Sequence, residues 1–326
     1  MISLMRILHA RPLLIICALF AVVAGARADA GNVSSCDTAR CALNQLLSIG
    51  KNTDPFYTIS AYAKASVFIK DLSALSEAER SIFLQFYGKA AMLSGDYLEA
   101  DRWYPAVGRK MVPDKYHLAV PADQLIIQLA KGSRVIFFNE LHGRAQTRVV
   151  LLALLPELKA MGFTHLALET LGVNLSYKEA ATCEPALLRD SELATRGMAI
   201  NSTGFYSRDP VYGELIRIAL QLGFELVAYD VIADTQSERM EGGATILACL
   251  MNRNENMRLV GLAGMANIGE GPAAVVDDYS MADWFRRKTG IDPVTVSTYE
   301  IVDFDSSSSI SNAEHLQPGQ AYVLSD

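Results

Sequence analysis

Hydrophobic positions along the chain follow two different patterns, and the change lies near residue 133. Before it, apolar residues recur at helical spacing in RSIFLQFYGKAAML, and Ser76 with Glu79 forms a helix-capping pattern. Gly95 and Asp96 interrupt that pattern before a second helical segment begins. Residues 31–130 are therefore predicted to be a helical N-terminal region, packed as a hairpin on the rest of the chain.

From Ser133 onward, short apolar runs alternate with helix-like stretches. The predicted strands are RVIFFN, HLALE, ELVAYD, RLVGLAG, PVTVSTYEIVDF and AYVLS. Nearly continuous apolar strands separated by helices are typical of a mainly parallel sheet flanked by helices on both faces. Residues 133–326 are thus predicted to form an α/β domain, and the irregular stretch 171–208 is expected to cover its ligand.

Two details of the predicted helices add to this picture. Asp209 is placed to cap a helix whose first residue is Pro210. The paired glycines of GGATIL lie inside a helical pattern, and they predict close packing of that helix on the sheet.

The first 28 residues have the composition of a secretory signal peptide. Arg6 and Arg11 precede an apolar run at 12–25, and a pattern of small residues ends at Ala28. Cleavage is predicted after Ala28 or Ala30. No transmembrane anchor is expected after cleavage, because no later segment is apolar for long enough to span a bilayer. The mature protein is accordingly expected to be secreted, in the periplasm.

Composition narrows the range of partners and covalent links. The 326 residues are 51% hydrophobic, which allows a large core. Their net charge of −7 argues against a nucleic-acid partner.

Cys36 and Cys41 can close a small loop, and Cys183 is expected to pair with Cys249 in an oxidising compartment. Spacing alone does not determine the connectivity, and neither pair has zinc-ligand spacing.

Acidic and polar side chains lie where the predicted strands end. Glu140 ends the first strand, with His142 just beyond it. Glu169 ends the second strand, Asp230 ends the third, and Asn267 follows the fourth. Each alone is explained as a loop hydrogen bonder or a helix cap, but capping does not require acids on neighbouring strands. Ligands bind beyond these strand ends in parallel sheets, so the pattern predicts a site that supplies a general base or binds a metal.

Other chemistries lack their motifs. The sequence has no Gly-x-Ser-x-Gly elbow, phosphate-binding loop, dinucleotide fingerprint or His-Glu-x-x-His helix.

Four segments resemble the erythromycin esterase-like and ChaN-like family, and more loosely the TIKI peptidases. They are VIFFNELHGRAQT, HLALETLG, YSRDPVYGELIRIALQLGFELVAYD and LVGLAGMANIGE, within residues 133–300. The resemblance implies that Glu140, His142 and Glu169 are catalytic. It also implies that the mouth of the site is lined by Arg144, Tyr206, Arg208 and Asp209. In the family's esterases the histidine activates water, whereas TIKI-like members are metal-dependent and ChaN-like members are linked to haem and iron.

One departure from the family pattern concerns cofactors. The family places a second histidine after the fourth strand, where this chain has Asn267. An amide is a poor ligand for transition metals, so no metal ligands are assigned and no cofactor is expected. Asp230 and Asn267 are instead expected to contact substrate, and haem or a divalent metal stays open as an alternative.

The sequence therefore favours a hydrolase that cleaves an ester or amide bond in a small molecule or peptide. His142 would be the general base, with Glu140 and Glu169 orienting it and polarising water. One alternative is a haem- or iron-binding protein in which His142 and Tyr206 are ligands. Another is a non-catalytic family member whose helical region binds a protein partner.

Overall fold

The computed structural model describes residues 36–52, 54–103, 116–264, 267–269, 279–298 and 320–324. The predicted signal peptide and its cleavage site lie outside these residues.

Helices and strands are numbered here in chain order within the described residues. The helices are α1 (Ala39–Leu47), α2 (Pro55–Ala65), α3 (Glu77–Leu93), α4 (Tyr97–Trp103), α5 (Ala122–Gly132), α6 (Gln146–Ala160), α7 (Tyr177–Ala180), α8 (Leu193–Arg196), α9 (Pro210–Gln221), α10 (Gln236–Arg253) and α11 (Met281–Thr289). The strands are β1 (Tyr116–Pro121), β2 (Val135–Glu140), β3 (His165–Leu168), β4 (Gly172–Ser176), β5 (Glu225–Val227), β6 (Asp230–Ile232), β7 (Leu259–Gly264), β8 (Val294–Val296) and β9 (Gln320–Leu324).

A five-stranded sheet forms the centre of the fold, in the order β5-β3-β7-β2-β8. Every neighbouring pair of these strands is parallel. All six residues of β2 and of β7 are buried, as expected for strands covered on both faces. Helices flank the sheet, with α6 packed on α9 and α10 packed on α11. The predicted α/β fold with a mainly parallel sheet is confirmed.

Strand register aligns two of the predicted site residues, Glu140 and Glu169. Glu140, the last residue of β2, pairs with Gly264, the last residue of β7. On the other side of β7, Leu168 at the end of β3 pairs with Leu262. Glu169 follows Leu168 directly, so both glutamates lie at the same edge of the sheet beside the end of β7.

The third predicted strand is broken in the structure. β5 ends at Val227, and Asp230 begins β6, which leaves the main sheet and pairs with β4. At the break, the hydroxyl of the buried Tyr229 donates a hydrogen bond to the carbonyl oxygen of Leu262 at 3.3 Å. A side-chain hydrogen bond to β7 is therefore present where the strand is interrupted. The prediction that Asp230 ends a strand of the main sheet is therefore wrong.

Two further segments differ from the sequence-based prediction. The chain at 116–121, predicted to be helical, is β1, whose backbone pairs antiparallel with β9. Its partner lies at the other end of the chain, and a local pattern carries no signal for such a distant pairing. The stretch 171–208, predicted to be irregular, contains β4, α7, α8 and a 3₁₀ turn at Tyr206–Arg208.

The paired glycines in α10 allow that helix to approach β6 closely. A Cβ at Gly242 would lie 2.6 Å from Cγ2 of Val231, and one at Gly243 would lie 3.0 Å from the Tyr229 ring. The predicted role of these glycines in close packing is confirmed. The approach also brings Arg239, one turn earlier on α10, next to Asp230.

The N-terminal helices α1–α4 have an apolar cluster of their own, separate from the core around the sheet. The predicted capping box at Ser76 begins α3, and α3 packs against α4 as a hairpin. Phe205 and Tyr206 of the α/β part pack against the helical cluster. The helices therefore lie against the segment that ends in the 3₁₀ turn.

Both predicted disulfides are present. The Cα atoms of Cys36 and Cys41 are 5.6 Å apart, and those of Cys183 and Cys249 are 5.4 Å apart. The second bond ties the 171–208 stretch to α10. Among the described residues, no helix combines the length and the apolar character needed to cross a bilayer.

Candidate active site

His142 lies two residues beyond β2, in a tight turn that leads into α6. Its Nδ1 is hydrogen-bonded to Oε1 of Glu140. The backbone N–H of Leu141 donates to Thr147 Oγ1 at 3.1 Å, which fixes the turn between the two side chains. The Glu140 side chain is 2% exposed and that of His142 is 30% exposed. The carboxylate therefore lies behind the ring, and the ring reaches the surface.

A buried arginine holds the Glu140 carboxylate from the other side. Arg148 is fully buried in the first turn of α6. It donates Nη2 to Glu140 Oε2 at 2.6 Å and Nη1 to Asp209 Oδ2 at 2.8 Å. Nη2 also donates to the carbonyl oxygen of His142 at 3.2 Å. The helical region contributes the hydroxyl of Tyr97, which donates to the other oxygen of Asp209 at 2.8 Å.

Glu169 is held by a second arginine on the opposite side of the site. Its Oε1 accepts a hydrogen bond from Arg239 Nη2 at 2.7 Å, and its Oε2 accepts one from the backbone N–H of Gly264. Arg239 also pairs with Asp230, through Nε at 2.5 Å and Nη2 at 2.7 Å. Asp230 thus joins the site through Arg239, although it lies outside the main sheet.

The predicted catalytic residues converge on one place. One side-chain ligand atom from each of Glu140, His142 and Glu169 lies within 4.8 Å of the other two. Gly264 forms the floor between them, since a Cβ there would lie 3.1 Å from both His142 Nε2 and Glu169 Oε2. The absence of a side chain at this position leaves room for a small group between the imidazole and the second carboxylate.

Tyr206 covers one face of the histidine. The two rings are stacked, with centroids 4.2 Å apart and planes inclined by 15°. The 3₁₀ turn that carries Tyr206 is anchored by Thr170, whose Oγ1 accepts the backbone N–H groups of Tyr206 and Ser207 at 2.9 and 3.0 Å. Thr170 follows Glu169 directly along the chain. The residue that anchors Tyr206 is therefore adjacent to the second glutamate of the site.

The arrangement shifts two pKa values. Burial tends to raise the pKa of Glu140, but the charges of Arg148 and then His142 outweigh it and lower the pKa to about 2. Burial tends to lower the pKa of His142, but Glu140 and then Glu169 outweigh it and raise the pKa above 6.5. Glu140 is therefore an ionised acceptor at neutral pH, and the shared hydrogen lies on Nδ1. In the neutral ring, Nε2 is the proton acceptor.

A small polar cavity continues from Glu169 towards α10. It has room for about one water molecule. Asn267, predicted to contact substrate, is 7% exposed and lines this cavity together with Asp230 and Arg239. Glu169 thus belongs both to the acid–histidine cluster and to the cavity, whereas Asn267 lines only the cavity.

Three residues predicted to contact substrate lie elsewhere. Asp209 is fully buried as the cap of α9 and the partner of Arg148, so the prediction that it binds substrate is wrong. Arg208 donates to the carbonyl oxygen of Ile49 at 2.9 Å. Arg144 lies 3.7 Å from Asp101 on α4. Both arginines face the helical region.

Arg148 and Arg239 are the main site residues that sequence reasoning missed. Arg148 had a detectable signal, because it shares a helix face with the buried Leu151 and Leu155, where an arginine requires buried partners. Arg239 stands one residue before the buried Met240, in a helix without a clear apolar stripe, and only its contact with Glu169 reveals its role.

No family model and no curated protein matches this chain. Among solved structures, it is similar to RRSP, a MARTX toxin effector domain from Vibrio vulnificus CMCP6, with 14% sequence identity and a TM-score of 0.41. That match covers 87% of this chain and 57% of the other. Two further structures of bacterial protein toxins match with 15% identity and TM-scores of 0.39 and 0.40, and the chain spans 58% and 59% of their lengths. Similarity this low assigns no function.

Proposed function

We propose that this chain is an exported hydrolase of ester or amide bonds, of the erythromycin esterase-like and ChaN-like type, with His142 as its general base. The observation that carries the proposal is the hydrogen bond between Glu140 and His142 Nδ1. It holds the proton on Nδ1 and turns Nε2 towards Glu169 and the open floor at Gly264. An imidazole oriented by a buried carboxylate is the arrangement that general-base hydrolysis uses.

These contacts support the following reaction as a part of the proposal. A water between His142 Nε2 and Glu169 Oε2 gives a proton to Nε2 as its oxygen attacks the substrate carbonyl carbon. The imidazolium is stabilised by Glu140, which stays ionised at a pKa of about 2. The tetrahedral intermediate then collapses, the bond to the leaving oxygen or nitrogen breaks, and His142 returns the proton to the leaving group. The products are a carboxylic acid and an alcohol or amine.

A resident metal fits these residues poorly. Glu140 and Glu169, the carboxylates that would be its ligands, already use both of their oxygens, one of them in each case on an arginine. A divalent cation would have to displace Arg148 or Arg239 or lie beside an uncompensated guanidinium. Asn267 adds only an amide. The proposed mechanism therefore contains no metal step.

The haem alternative also receives little support from the geometry. Because the Tyr206 and His142 rings are stacked at 4.2 Å, they do not offer a pair of ligands on opposite faces of a porphyrin. Tyr206 instead restricts the imidazole to one orientation, which suits a base.

Export is part of the proposal for two reasons. The N-terminal segment has the pattern of a signal peptide, and the two disulfides suit an oxidising compartment such as the periplasm.

The test is hydrolysis of a panel of 4-nitrophenyl esters and 4-nitroanilides by the mature protein and by His142→Ala. We expect activity to fall by about 10²–10⁴-fold, the usual contribution of a general base, while the thermal unfolding midpoint is retained. His165→Ala is the matched control, because His165 contacts Glu225 at the sheet edge, away from the site. Activity of His142→Ala within a few-fold of the parent would refute the proposal.

A further inference from the structure

Arg239 holds its two acidic partners through different hydrogens of its guanidinium group. Nε and Nη2 donate to the two oxygens of Asp230 at 2.5 and 2.7 Å, which uses one hydrogen of Nη2. The other hydrogen of Nη2 is donated to Glu169 Oε1 at 2.7 Å. Because the group carries five N–H donors, both hydrogens of Nη1 remain. Nη1 makes no hydrogen bond to any described residue, and the Arg239 side chain is 33% exposed.

The rigid shape of the guanidinium group determines where the remaining Nη1 donor points. The Nη2 hydrogen that reaches Glu169 lies on the same edge as one hydrogen of Nη1, and the two point in nearly parallel directions. An oxygen that accepts from Nη1 therefore lies beside Oε1 of Glu169. The other oxygen of this carboxylate, Oε2, is 3.1 Å from the Cβ position at Gly264, as is His142 Nε2. A single carboxylate thus separates the donor from the proposed position of the reacting water.

The small cavity beside Glu169 has more free donors than free acceptors. It is lined by Glu169, Asp230, Arg239 and Asn267, among others. All four carboxylate oxygens there already accept hydrogen bonds, from Arg239 or from the backbone of Gly264. In the part of the chain that the structure describes, neither Nη1 of Arg239 nor the amide of the buried Asn267 has a hydrogen-bond partner. The cavity therefore complements an acceptor, and its room for about one water molecule matches a single oxygen atom.

The proposed reaction requires a donor of this kind. When water attacks, the electron pair of the C=O π bond moves onto the carbonyl oxygen, and an ionised glutamate cannot donate to the charge that develops there. The two oxygens on a tetrahedral carbon are about as far apart as the two oxygens of a carboxylate. With the attacking oxygen beside Oε2 of Glu169, the carbonyl oxygen therefore reaches the region of Oε1, where Nη1 points. Fixed donors aimed at developing charge are usually the largest single contribution to such reactions.

We infer that Arg239 is a further catalytic residue, whose Nη1 donates to the carbonyl oxygen of the substrate and stabilises the oxyanion of the tetrahedral intermediate. The inference rests on the proposed hydrolytic function. Arg239 transfers no proton, and the electron pair returns to the carbonyl bond when the leaving group departs. Asp230 and Glu169 hold the guanidinium group in place before the substrate arrives, so the donor needs no reorganisation. They also reduce its net charge, which favours a contribution of about 10²-fold, at the lower end for such donors.

The test compares 4-nitrophenyl butyrate with O-4-nitrophenyl thionobutyrate, in which sulfur replaces the carbonyl oxygen. Sulfur is a weak hydrogen-bond acceptor, so a donor to this atom discriminates between the two esters. In Arg239→Gln we expect kcat for the oxygen ester to fall by about 10²-fold, and the ratio of kcat/KM for the oxygen ester to that for the thiono ester to fall by about tenfold. Arg217→Gln, at a surface arginine that pairs with Glu214, is the control and should change neither value. An equal loss on both esters would refute the inference, because a residue that only orients Glu169 affects them alike.

Arg239→Lys separates the loss of the Nη1 donor from the loss of charge. The ammonium keeps a positive charge between Glu169 and Asp230, which protects the fold, but it has no second nitrogen beside the one that holds Glu169. The preference for the oxygen ester should therefore fall by about tenfold in this variant as well, with an unfolding midpoint close to that of the parent. A parental preference in the folded lysine variant would overturn the role of Nη1.

Binding of a tetrahedral analogue distinguishes failure of this inference from failure of the proposed function. The ketone 1,1,1-trifluoro-4-phenylbutan-2-one is hydrated in water to a tetrahedral diol, whereas 4-phenylbutan-2-one stays trigonal. Calorimetry on the parent should show tighter binding of the fluoroketone, and Arg239→Lys should lose about tenfold of that preference. A preference that depends on Arg239, without turnover of either ester, would refute hydrolysis and support oxygen binding at Nη1. Turnover with a preference that does not depend on Arg239 would refute the inference and leave the hydrolase standing, and absence of both would refute both.

Discussion

Arg148 donates Nη2 to Glu140 across 2.6 Å, and both side chains are buried. The ion pair joins the first turn of α6 to the end of β2, and Asp209 extends it to the start of α9. The hydrogen-bonded pair of Glu140 and His142 is therefore connected to the core through a buried ion pair.

Removing that charge should destabilise the fold. Arg148→Met would leave Glu140 and Asp209 buried without a cation, and we expect the free energy of unfolding to fall by about 3–5 kcal/mol in urea denaturation. Arg217→Met is the control, since Arg217 pairs with Glu214 on the surface, and a loss below about 1 kcal/mol is expected there. Equal losses in the two variants would contradict the importance of the buried pair.

The raised pKa of His142 predicts the pH dependence of catalysis. A general base acts in its neutral form, so kcat/KM should rise with pH through a midpoint above 6.5. Glu140→Gln removes the main cause of the raised pKa of His142. The midpoint of the pH–rate profile of this variant should therefore move to lower pH, and its kcat should fall. The measurement is a pH–rate profile on a neutral ester. A parent midpoint below 6.5 would show that Glu140 does not stabilise the imidazolium.

The contributions of the same two groups to stability depend on pH in opposite directions. The folded pKa of His142 is raised, so its contribution is present below pH 6.5 and is lost as pH rises through the folded pKa. The pKa of Glu140 is lowered from 4.5 to about 2, so its contribution is present above pH 4.5 and is lost as pH falls towards 2.

Gly264→Ala tests the open floor of the site. The new methyl would lie 3.0–3.1 Å from the imidazole and from Glu169, and it would occupy the space between them. We expect kcat to fall by about 10²-fold, because a small displacement of reacting groups is costly, with little change in the unfolding midpoint. Gly269→Ala, where a Cβ meets nothing within 4 Å, should retain full activity. If both variants are equally active, the reacting water does not lie between His142 and Glu169.

The effect of metal removal on hydrolysis tests the proposed metal-free mechanism. Because arginines hold both carboxylates, chelation with EDTA should leave hydrolysis unchanged, and metal analysis should find far less than one zinc or manganese per chain. Asn267→His alone should add little affinity, since Arg239 still holds Glu169. The double change Asn267→His with Arg239→Met should increase zinc uptake, because it supplies an imidazole and releases a carboxylate. Stoichiometric metal in the parent, with activity lost on chelation, would overturn the metal-free mechanism.

The convergence of Glu140, His142 and Glu169 could be predicted from the order of residues along the chain. Buried parallel strands are apolar throughout, so polar residues appear only where such strands end, and these ends share one edge of the sheet. The Cys36–Cys41 bond, the helix cap at Asp209 and the close packing at Gly242 and Gly243 also had local signals, and the structure agrees with them.

Contacts between distant segments decided the rest. Asp209 looked like a substrate contact, yet burial against Arg148 makes it structural, and Asp230 reaches the site only because Arg239 spans it and Glu169. The sequence alone determined the α/β fold and the position of Glu140, His142 and Glu169 at one edge of the sheet, because both depend on hydrophobic periodicity and on where the strands end. Only the tertiary structure decided which charges are neutralised, because the partner of a charge is selected by proximity in space.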